Sequence, residues 1–268
     1  MGRVREGCIN HMLLAIDIGN TTIGFALIHK GRIGAVVKVD TASSVVTIKA
    51  AVEKIFKNRT ISRAVICSVV PKVQKSLEAI LSKVVAVDVI GRDIIVPIKN
   101  RYKNPKQVGQ DRLVGAYGAM KIYGKPLIVV DLGTAITFDV ISLKGEYLGG
   151  AIVPGIRLSA ESLFLKTALL PKIEIQTPKH IIGKTTQESM LSGLFYGYGS
   201  LCRGLIDLIS QQMKIKPKVV MTGGHTRLMK KFVSPEIRKN FSCHSRASGN
   251  PIIDEDLVFK GIYFLSCL

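Results

Sequence analysis

The feature that most constrains the fold of this chain is a turn that occurs twice. In each copy an aspartate follows a short apolar run, a glycine stands two residues later, and hydroxyl-bearing residues come next. The copies are DIGNTT at residues 17–22, after the run 12–16, and DLGTAIT at residues 131–137, after the run 127–130. Beyond each turn the hydrophobic pattern predicts two more strands and a helix. This duplication indicates an α/β protein built from two similar domains.

The two predicted domains meet near residues 121–126, where Gly124 and Pro126 interrupt the pattern of strands and helices. We therefore predict an N-terminal domain over residues 12–123 and a C-terminal domain over residues 124–268. Each of these domains contains one copy of the turn.

Composition excludes several classes of function. Hydrophobic residues make up 47% of the 268 residues, more than a disordered chain contains, yet no apolar run approaches the ~20 residues of a membrane-spanning helix. No secretory signal is recognisable, so we expect a soluble cytoplasmic protein. The five cysteines are widely spaced without a C-x-x-C pair, so neither a disulfide framework nor a zinc site is expected.

Residues 1–11 and 240–250 are polar and aperiodic, which predicts an extended start and an exposed loop.

Charge gives a weaker indication of partners. The 38 lysines and arginines exceed the 19 acidic residues and give a net charge of +19, which favours polyanions through the release of counterions. The densest basic clusters, residues 99–106 and 214–218, are not interleaved with several aromatic residues, and the chain has no tryptophan. An anionic small substrate explains the charge equally well. We therefore expect neither a nucleic acid nor a membrane as the partner.

The chemistry of the repeated turn suits a polyphosphate. Glycine lets the backbone turn tightly and approach a ligand, and successive backbone N–H groups can then bind an anion. An aspartate beside phosphate is favourable when it holds a cation that neutralises the charge. Two such turns, one in each domain, predict a cleft that holds one nucleotide. An ordinary β-hairpin is the alternative, and it is favoured for a single turn but not for a matched pair.

A second candidate site precedes a predicted helix in the first half of the chain. Asp111 and Arg112 stand at its N-terminus, where free N–H groups favour anions. Arg112 offers a planar fork for a carboxylate, and Asp111 could accept a proton from an alcohol. We expect the helix terminus and Arg112 to keep Asp111 ionised and to lower its basicity. The alternative is simple capping by Asp111 with Arg112 exposed.

Several segments resemble known families. The two turns resemble the phosphate motifs of the superfamily of acetate and sugar kinases, heat-shock chaperone ATPases and actin, and residues 221–224 (MTGG) resemble its adenosine motif. Over about residues 12–268, apart from 240–250, further motifs are similar to those of type III pantothenate kinases and stand in the same order. These motifs occupy residues 102–112, 149–165, 170–174, 182–198 and 254–261.

The resemblance implies two ribonuclease H-like (actin-like ATPase) domains with a central nucleotide cleft. It implies that ATP phosphorylates pantothenate to 4′-phosphopantothenate, the first step of coenzyme A biosynthesis, in a homodimer with substrate pockets at the subunit interface. It also implies Mg²⁺ with ATP, a monovalent cation (K⁺ or NH₄⁺) at Asp131, and Asp111 as catalytic base. The implied ATP-binding residues are Asp17, Ile18, Gly19, Asn20, Thr21, Thr22, Ile23, Gly24 and Thr134. The implied pantothenate-binding residues are Tyr102, Gly109, Gln110, Asp111, Arg112 and Thr186.

Two positions depart from the family pattern. Gln110 replaces the small residue often found between glycine and aspartate, and Thr185 stands where asparagine is frequent. Two other functions stay open at this point. One is a nucleic-acid-binding transcription accessory factor, and the other is a different small-molecule kinase on the same scaffold.

Overall fold

The computed structural model describes residues 12–233 and 250–268. The expectations for residues 1–11, and for all but the last residue of the loop 240–250, lie outside the described residues. The described chain divides into two units. The first contains the residues up to Ile122 together with Asp256–Leu268, and the second contains those between Tyr123 and Glu255.

The first unit is built on a mixed sheet. Its strands are β1 (Leu13–Ile18), β2 (Thr22–His29), β3 (Arg32–Ile33), β4 (Val37–Asp40), β5 (Arg63–Ser68) and β6 (Ala86–Val89). They lie in the order β3-β2-β1-β5-β6, and β4 also pairs with β2. β1 is antiparallel to β2 and parallel to β5, which is parallel to β6. Four consecutive residues are buried in both β1 and β5, as expected for strands covered on both faces.

Local sequence signals explain where the first helices begin. The helices are α1 (Val45–Phe56), α2 (Pro71–Leu81) and α3 (Gln110–Tyr123). The side-chain oxygen of Ser44 accepts a hydrogen bond from the backbone N–H of Thr47 and so caps α1. Pro71 is the first residue of α2, where its fixed φ suits the helix and its missing N–H costs nothing.

The second unit repeats the strand order of the first. Its strands are β7 (Leu127–Leu132), β8 (Ala135–Ile141), β9 (Tyr147–Pro154), β10 (Lys218–Thr222) and β11 (Ile252–Ile253). They lie in the order β11-β10-β7-β8-β9, with β7, β8 and β9 antiparallel and β10 and β11 parallel to β7. In both sheets the first strand is therefore central, between an antiparallel and a parallel neighbour. The shared order confirms the predicted α/β fold of two ribonuclease H-like domains.

Five helices complete the part of the chain that the structure describes: α4 (Ile156–Lys166), α5 (Thr186–Ser192), α6 (Tyr198–Met213), α7 (Thr226–Val233) and α8 (Leu257–Ser266). A π-helical turn, Gly193–Gly197, joins α5 to α6, so the two form one helical stretch where the sequence predicts a single helix. The core of the second unit packs apolar side chains of β7, such as Val130, against residues of these helices that include Phe195 and Phe232. Among residues 12–233 and 250–268, every helix is too short or too polar to cross a membrane.

The structure differs from the sequence-based expectation at two places. Residues 32–39, whose apolar pattern predicts one strand, form β3 and β4, because the pairing with β2 shifts by one residue between them, from Ile28 opposite Ile33 to Phe25 opposite Val37. The apolar helix α8 contacts β1 and β5 and so belongs to the first unit. The domain ranges 12–123 and 124–268 stay a prediction. That prediction places α8 in the C-terminal domain, whereas the contacts group α8 with the first unit.

Candidate functional site

The first aspartate-led turn connects β1 to β2. Asp17 is opposite Gly24 in the antiparallel pairing and opposite Cys67 on β5 in the parallel pairing. Gly24 is buried against the ring of Phe259, and a β-carbon on it would lie 2.9 Å from the ring atom Cζ. Packing against α8 is therefore a sufficient reason for a glycine at this position.

The backbone of the first turn is held by hydrogen bonds. The N–H of Gly19 donates to the carbonyl of Thr22 at 3.0 Å. Thr41, which follows β4, donates from its hydroxyl to the carbonyl of Gly19 at 2.8 Å and from its N–H to the carbonyl of Thr21 at 3.0 Å. Asn20 and Thr21 are exposed. No pattern in the sequence identifies Thr41, because its partners are about twenty residues away along the chain.

Two other residues of the predicted ATP set have buried side chains. Ile18 and Ile23 form the last pair of the β1–β2 ladder, and both are 0% exposed. Only the backbone of these two residues is therefore placed to contact a ligand. The N–H groups of such a turn are the donors that bind phosphate in similar loops.

Asp111 is the second residue of α3 and is partly buried. Its Oδ1 accepts a hydrogen bond from the N–H of Arg112 at 2.8 Å. Burial raises the pKa of the Asp111 carboxyl above the ordinary value, and this effect exceeds the opposing effects of that hydrogen bond and of the Arg112 charge. The expectation that the helix terminus and Arg112 lower the basicity of Asp111 is therefore wrong, because desolvation is the larger effect.

Cys67 on β5 is near two carboxylates of the first unit, those of Asp17 and Asp111. Burial raises the pKa of its thiol, and the charges of Asp17 and Asp111 raise this pKa further. Asp17 is opposite Cys67 in the β1–β5 pairing, and Gly109, two residues before Asp111, lies against Val69, which directly follows β5, so the two aspartates lie at the same end of the first sheet. The structure thus brings together the first turn and the predicted catalytic residue, which are separated by more than ninety residues in sequence.

The segment before α3 is fixed by its own side chains and by a neighbouring loop. The N–H of Tyr102 donates to Oδ1 of Asn100 at 2.9 Å, and Pro105–Gln107 form a short 3₁₀ turn. Gly91 has a φ of +90°, and a β-carbon on it would lie 2.8 Å from Cδ of Gln110. Gln110, which departs from the family pattern, therefore packs its side chain against a glycine of the loop after β6.

The second aspartate-led turn connects β7 to β8. Asp131 is opposite Thr137 in the ladder, and the N–H of Gly133 donates to the carbonyl of Ala135 at 3.1 Å. The N–H of Gly155 donates to the carbonyl of Thr134 at 2.9 Å, and the turn leaves no room for a β-carbon at Gly155. Thr134 itself is exposed. Gly155, the residue just before α4, therefore supports this turn, as Thr41 supports the first turn.

The T-G-G turn after β10 packs against the second aspartate-led turn. Gly223, with a φ of +94°, lies against Oδ1 of Asp131 and the backbone of Leu132. The N–H of His225 donates to the carbonyl of Leu132 at 3.0 Å. The structure therefore brings two of the predicted motifs into contact within the second unit.

Thr186 is the exposed first residue of α5 in the second unit. Thr185 caps this helix, because its hydroxyl oxygen accepts from the N–H of Glu188 at 3.1 Å. The Glu188 carboxylate in turn accepts from the N–H of Lys184, the residue before the cap, at 2.8 Å, in an arrangement similar to a capping box. Threonine thus performs at position 185 the capping that asparagine also performs.

The donor set limits which cation the site can hold. The residues that the structure describes contain no group of three or more histidine, cysteine, aspartate or glutamate side chains able to hold a metal ion. A cation at Asp131 would therefore take most of its ligands from hydroxyl, carbonyl, water or phosphate oxygens. Such oxygen ligands with a single carboxylate fit a hard cation bound together with a phosphate ligand.

The chain is similar to known proteins in sequence and in fold. Residues 13–208 match the sequence profile of a family described as "Type III pantothenate kinase". A type III pantothenate kinase of Persephonella marina is 46% identical over 229 residues, which are 82% of this chain and 90% of the relative. One of Sulfurihydrogenibium sp. is 36% identical over 268 residues, 95% of this chain and 99% of the relative. The fold is similar to that of a polyphosphate/ATP-glucomannokinase of Arthrobacter sp., with a TM-score of 0.51, 17% identity, and coverage of 95% of this chain and 98% of that one.

Proposed function

We infer that this chain, which belongs to the type III pantothenate kinase family, phosphorylates pantothenate with ATP in the first step of coenzyme A biosynthesis. It is a nucleotide-binding phosphotransferase whose acceptor is an alcohol. The single observation that carries this function beyond the family assignment is the position of Asp111. A partly buried carboxyl with a raised pKa lies at the same end of the first sheet as the Asp17 turn.

Phosphoryl transfer depends mainly on alignment of the reactants and neutralisation of charge. We propose that backbone N–H groups of residues 17–24 and the exposed Thr134 bind the phosphates of ATP. A divalent ion, proposed to be Mg²⁺, supplies charge neutralisation when it is bound with ATP. Asp131 would hold the monovalent cation, proposed to be K⁺ or NH₄⁺.

Asp111 is the proposed catalytic base. Its raised pKa means that it holds a proton more readily than an ordinary aspartate does, which suits a group that orients a hydroxyl and takes its proton as the phosphoryl group arrives. Arg112 would bind the carboxylate of pantothenate through its planar fork. The other proposed pantothenate contacts are Tyr102, Gly109, Gln110 and Thr186.

We also propose that the chain is a homodimer, and an apolar surface supports this. Large apolar side chains are exposed at several positions in one stretch of the sequence, from β9 through α4 to the segment before α5. Leu169 is 91% exposed and Ile182 is 77% exposed, and exposed apolar surface of this kind marks interaction sites. Thr186 follows this stretch directly, which is consistent with a substrate pocket at the interface. A cytoplasmic location stays a prediction.

The alternatives have less support. The relatives are named as kinases, and a nucleic-acid-binding transcription factor is not favoured. The similarity to a glucomannokinase, at 17% identity, shows the fold alone and gives no reason to expect a sugar as substrate.

A coupled assay of ADP release tests the function. ATP turnover should require pantothenate and should increase when K⁺ replaces Na⁺ at constant ionic strength. Turnover that is independent of pantothenate, or that follows a sugar in a substrate panel, would contradict the proposal.

A further inference from the structure

Asp139 is a buried carboxylate that the proposed reaction does not use. It lies on β8 and is only 2% exposed. Its Oδ1 accepts a hydrogen bond from the hydroxyl of Tyr147 at 2.7 Å, and its Oδ2 accepts one from the hydroxyl of Thr137 at 3.0 Å. Burial of a carboxylate is costly unless hydrogen bonds compensate. Both of its oxygens are bonded to hydroxyl groups, so Asp139 controls where those hydroxyl protons point.

Thr137 connects Asp139 to the second turn. Thr137 is directly opposite Asp131 in the antiparallel ladder, so both side chains stand on the same face of the sheet, with β-carbons ~4.5–5.5 Å apart. A threonine hydroxyl has one proton and two lone pairs. Because the proton is donated to Asp139, the oxygen has only lone pairs for its other neighbours. Beside Asp131, Thr137 is therefore an acceptor that attracts a cation and repels a bare anion.

We propose that Asp139 is a positioning residue that holds the hydroxyl of Thr137 as an oxygen donor to the cation bound at Asp131. This inference rests on the proposed role of Asp131. The donor set of one carboxylate and one neutral hydroxyl has a low charge, which suits a monovalent cation better than a divalent one. Residues that orient a metal ligand by a hydrogen bond affect metal affinity although they do not touch the metal.

Four variants separate this role from a purely structural one. Thr137→Val removes the hydroxyl with little change of shape, and Thr137→Ser restores it. Asp139→Asn removes the charge that fixes the hydroxyl proton. Tyr147→Phe is the matched control, because it removes the other hydrogen bond of Asp139 and leaves Thr137 untouched.

The first readout is the rise of Tm with K⁺ in the absence of substrate, at ionic strength held constant with choline chloride, because a bound ion stabilises the folded state. The second is the K⁺ concentration that gives half-maximal turnover. We expect Thr137→Val and Asp139→Asn to require ~10-fold more K⁺ in both measurements, and Thr137→Ser and Tyr147→Phe to stay within ~2-fold of the wild type. Wild-type K⁺ requirements in Thr137→Val would overturn the inference even if Asp139→Asn does not fold.

The outcomes also distinguish this inference from the proposed function. A wild-type chain that fails to phosphorylate pantothenate contradicts the function, while its Tm in K⁺ still tests Asp139. An Asp131→Asn variant with an unchanged K⁺ requirement contradicts the cation site itself and the role of Asp139 with it. If Asp131→Asn loses the K⁺ response while Thr137→Val keeps it, only the inference fails.

Discussion

Gly223 lies so close to the carboxylate of Asp131 that a β-carbon at Gly223 would overlap with Oδ1. The φ of Gly223 is +94°, a conformation that other residues adopt only with strain. The lack of room for a β-carbon and the positive φ both favour glycine at position 223. The contact with Asp131 joins the turn after β10 to the turn after β7. The segments that resemble an adenosine motif and a second phosphate motif are therefore parts of one packed structure.

Gly223→Ala should destabilise the second unit and weaken ATP binding. The strain at a positive φ and the overlap with Asp131 together predict a loss of at least ~2 kcal/mol in unfolding free energy. Gly224→Ala is the matched control, because a β-carbon there would have no heavy atom within 4 Å and should change stability by less than ~0.5 kcal/mol. Chemical denaturation of both variants measures this difference. Equal stability of the two would show that the contact is not close.

Asp111→Asn should be more stable than the wild type at pH 7. The native pKa of Asp111 is raised, so the ionised carboxyl opposes folding at every pH above the ordinary value of ~4. The advantage of the variant appears as pH rises from that ordinary value to the raised native value, and it vanishes below both. Thermal unfolding of the variant and the wild type between roughly pH 3.5 and pH 8 measures this difference in stability.

Asp93→Asn is the control of opposite sign. The Arg92 guanidinium hydrogen-bonded to Asp93 lowers the pKa of that carboxyl, and the N–H of Val89 lowers it further. The ionised form therefore stabilises the folded state above the ordinary pKa, and this contribution is lost as pH falls through the lowered native value. The variant should be less stable than the wild type at pH 7. A loss of stability at pH 7 in Asp111→Asn, of the same sign as the loss expected in Asp93→Asn, would contradict the assignment of burial as the dominant effect at Asp111.

The pH dependence of kcat should report the same carboxyl. A base must be deprotonated to accept the proton of the hydroxyl, so turnover should fall as pH decreases through the raised pKa of Asp111. The midpoint of the fall should lie above ~4, the value of an ordinary aspartate. A pH profile of kcat at saturating pantothenate measures it. A flat profile down to that ordinary value would exclude a raised catalytic carboxyl.

Leu169→Asp should convert a dimer to a monomer. Leu169 is 91% exposed, and a charge placed in an apolar interface would be buried without a partner. Val46→Asp, at a position on α1 that is 77% exposed in the first unit, is the matched control and should leave the mass unchanged. Sedimentation velocity at micromolar concentration distinguishes the two. A wild-type chain that is monomeric would contradict the proposed interface.

Local and periodic features of the structure could be predicted from the sequence. The apolar runs and the two turns have a spacing that is readable without tertiary contacts, so β1, β2, β7 and β8 were predicted in order. The same holds for the start of α3, because Asp111 and Arg112, which the sequence places at the N-terminus of the helix, are its second and third residues.

Features that depend on distant contacts could not be predicted. Thr41 supports the first turn from about twenty residues away, and the charges of two aspartates from different elements act on the thiol of Cys67. The raised pKa of Asp111 depends on burial, which no local pattern reports. The membership of α8 in the first unit is equally invisible, because an apolar helix does not identify the sheet that it will cover.

Identification of the product tests the central claim most directly. ATP, pantothenate and glucose at equal concentrations, in buffer containing K⁺ and Mg²⁺, should give ADP and 4′-phosphopantothenate in equal amounts by mass spectrometry, with glucose unchanged. Asp111→Asn should form product ~10²–10⁴-fold more slowly while it still binds ATP. Phosphorylation of glucose instead of pantothenate, or near-wild-type turnover in Asp111→Asn, would contradict the proposed function and the proposed base respectively.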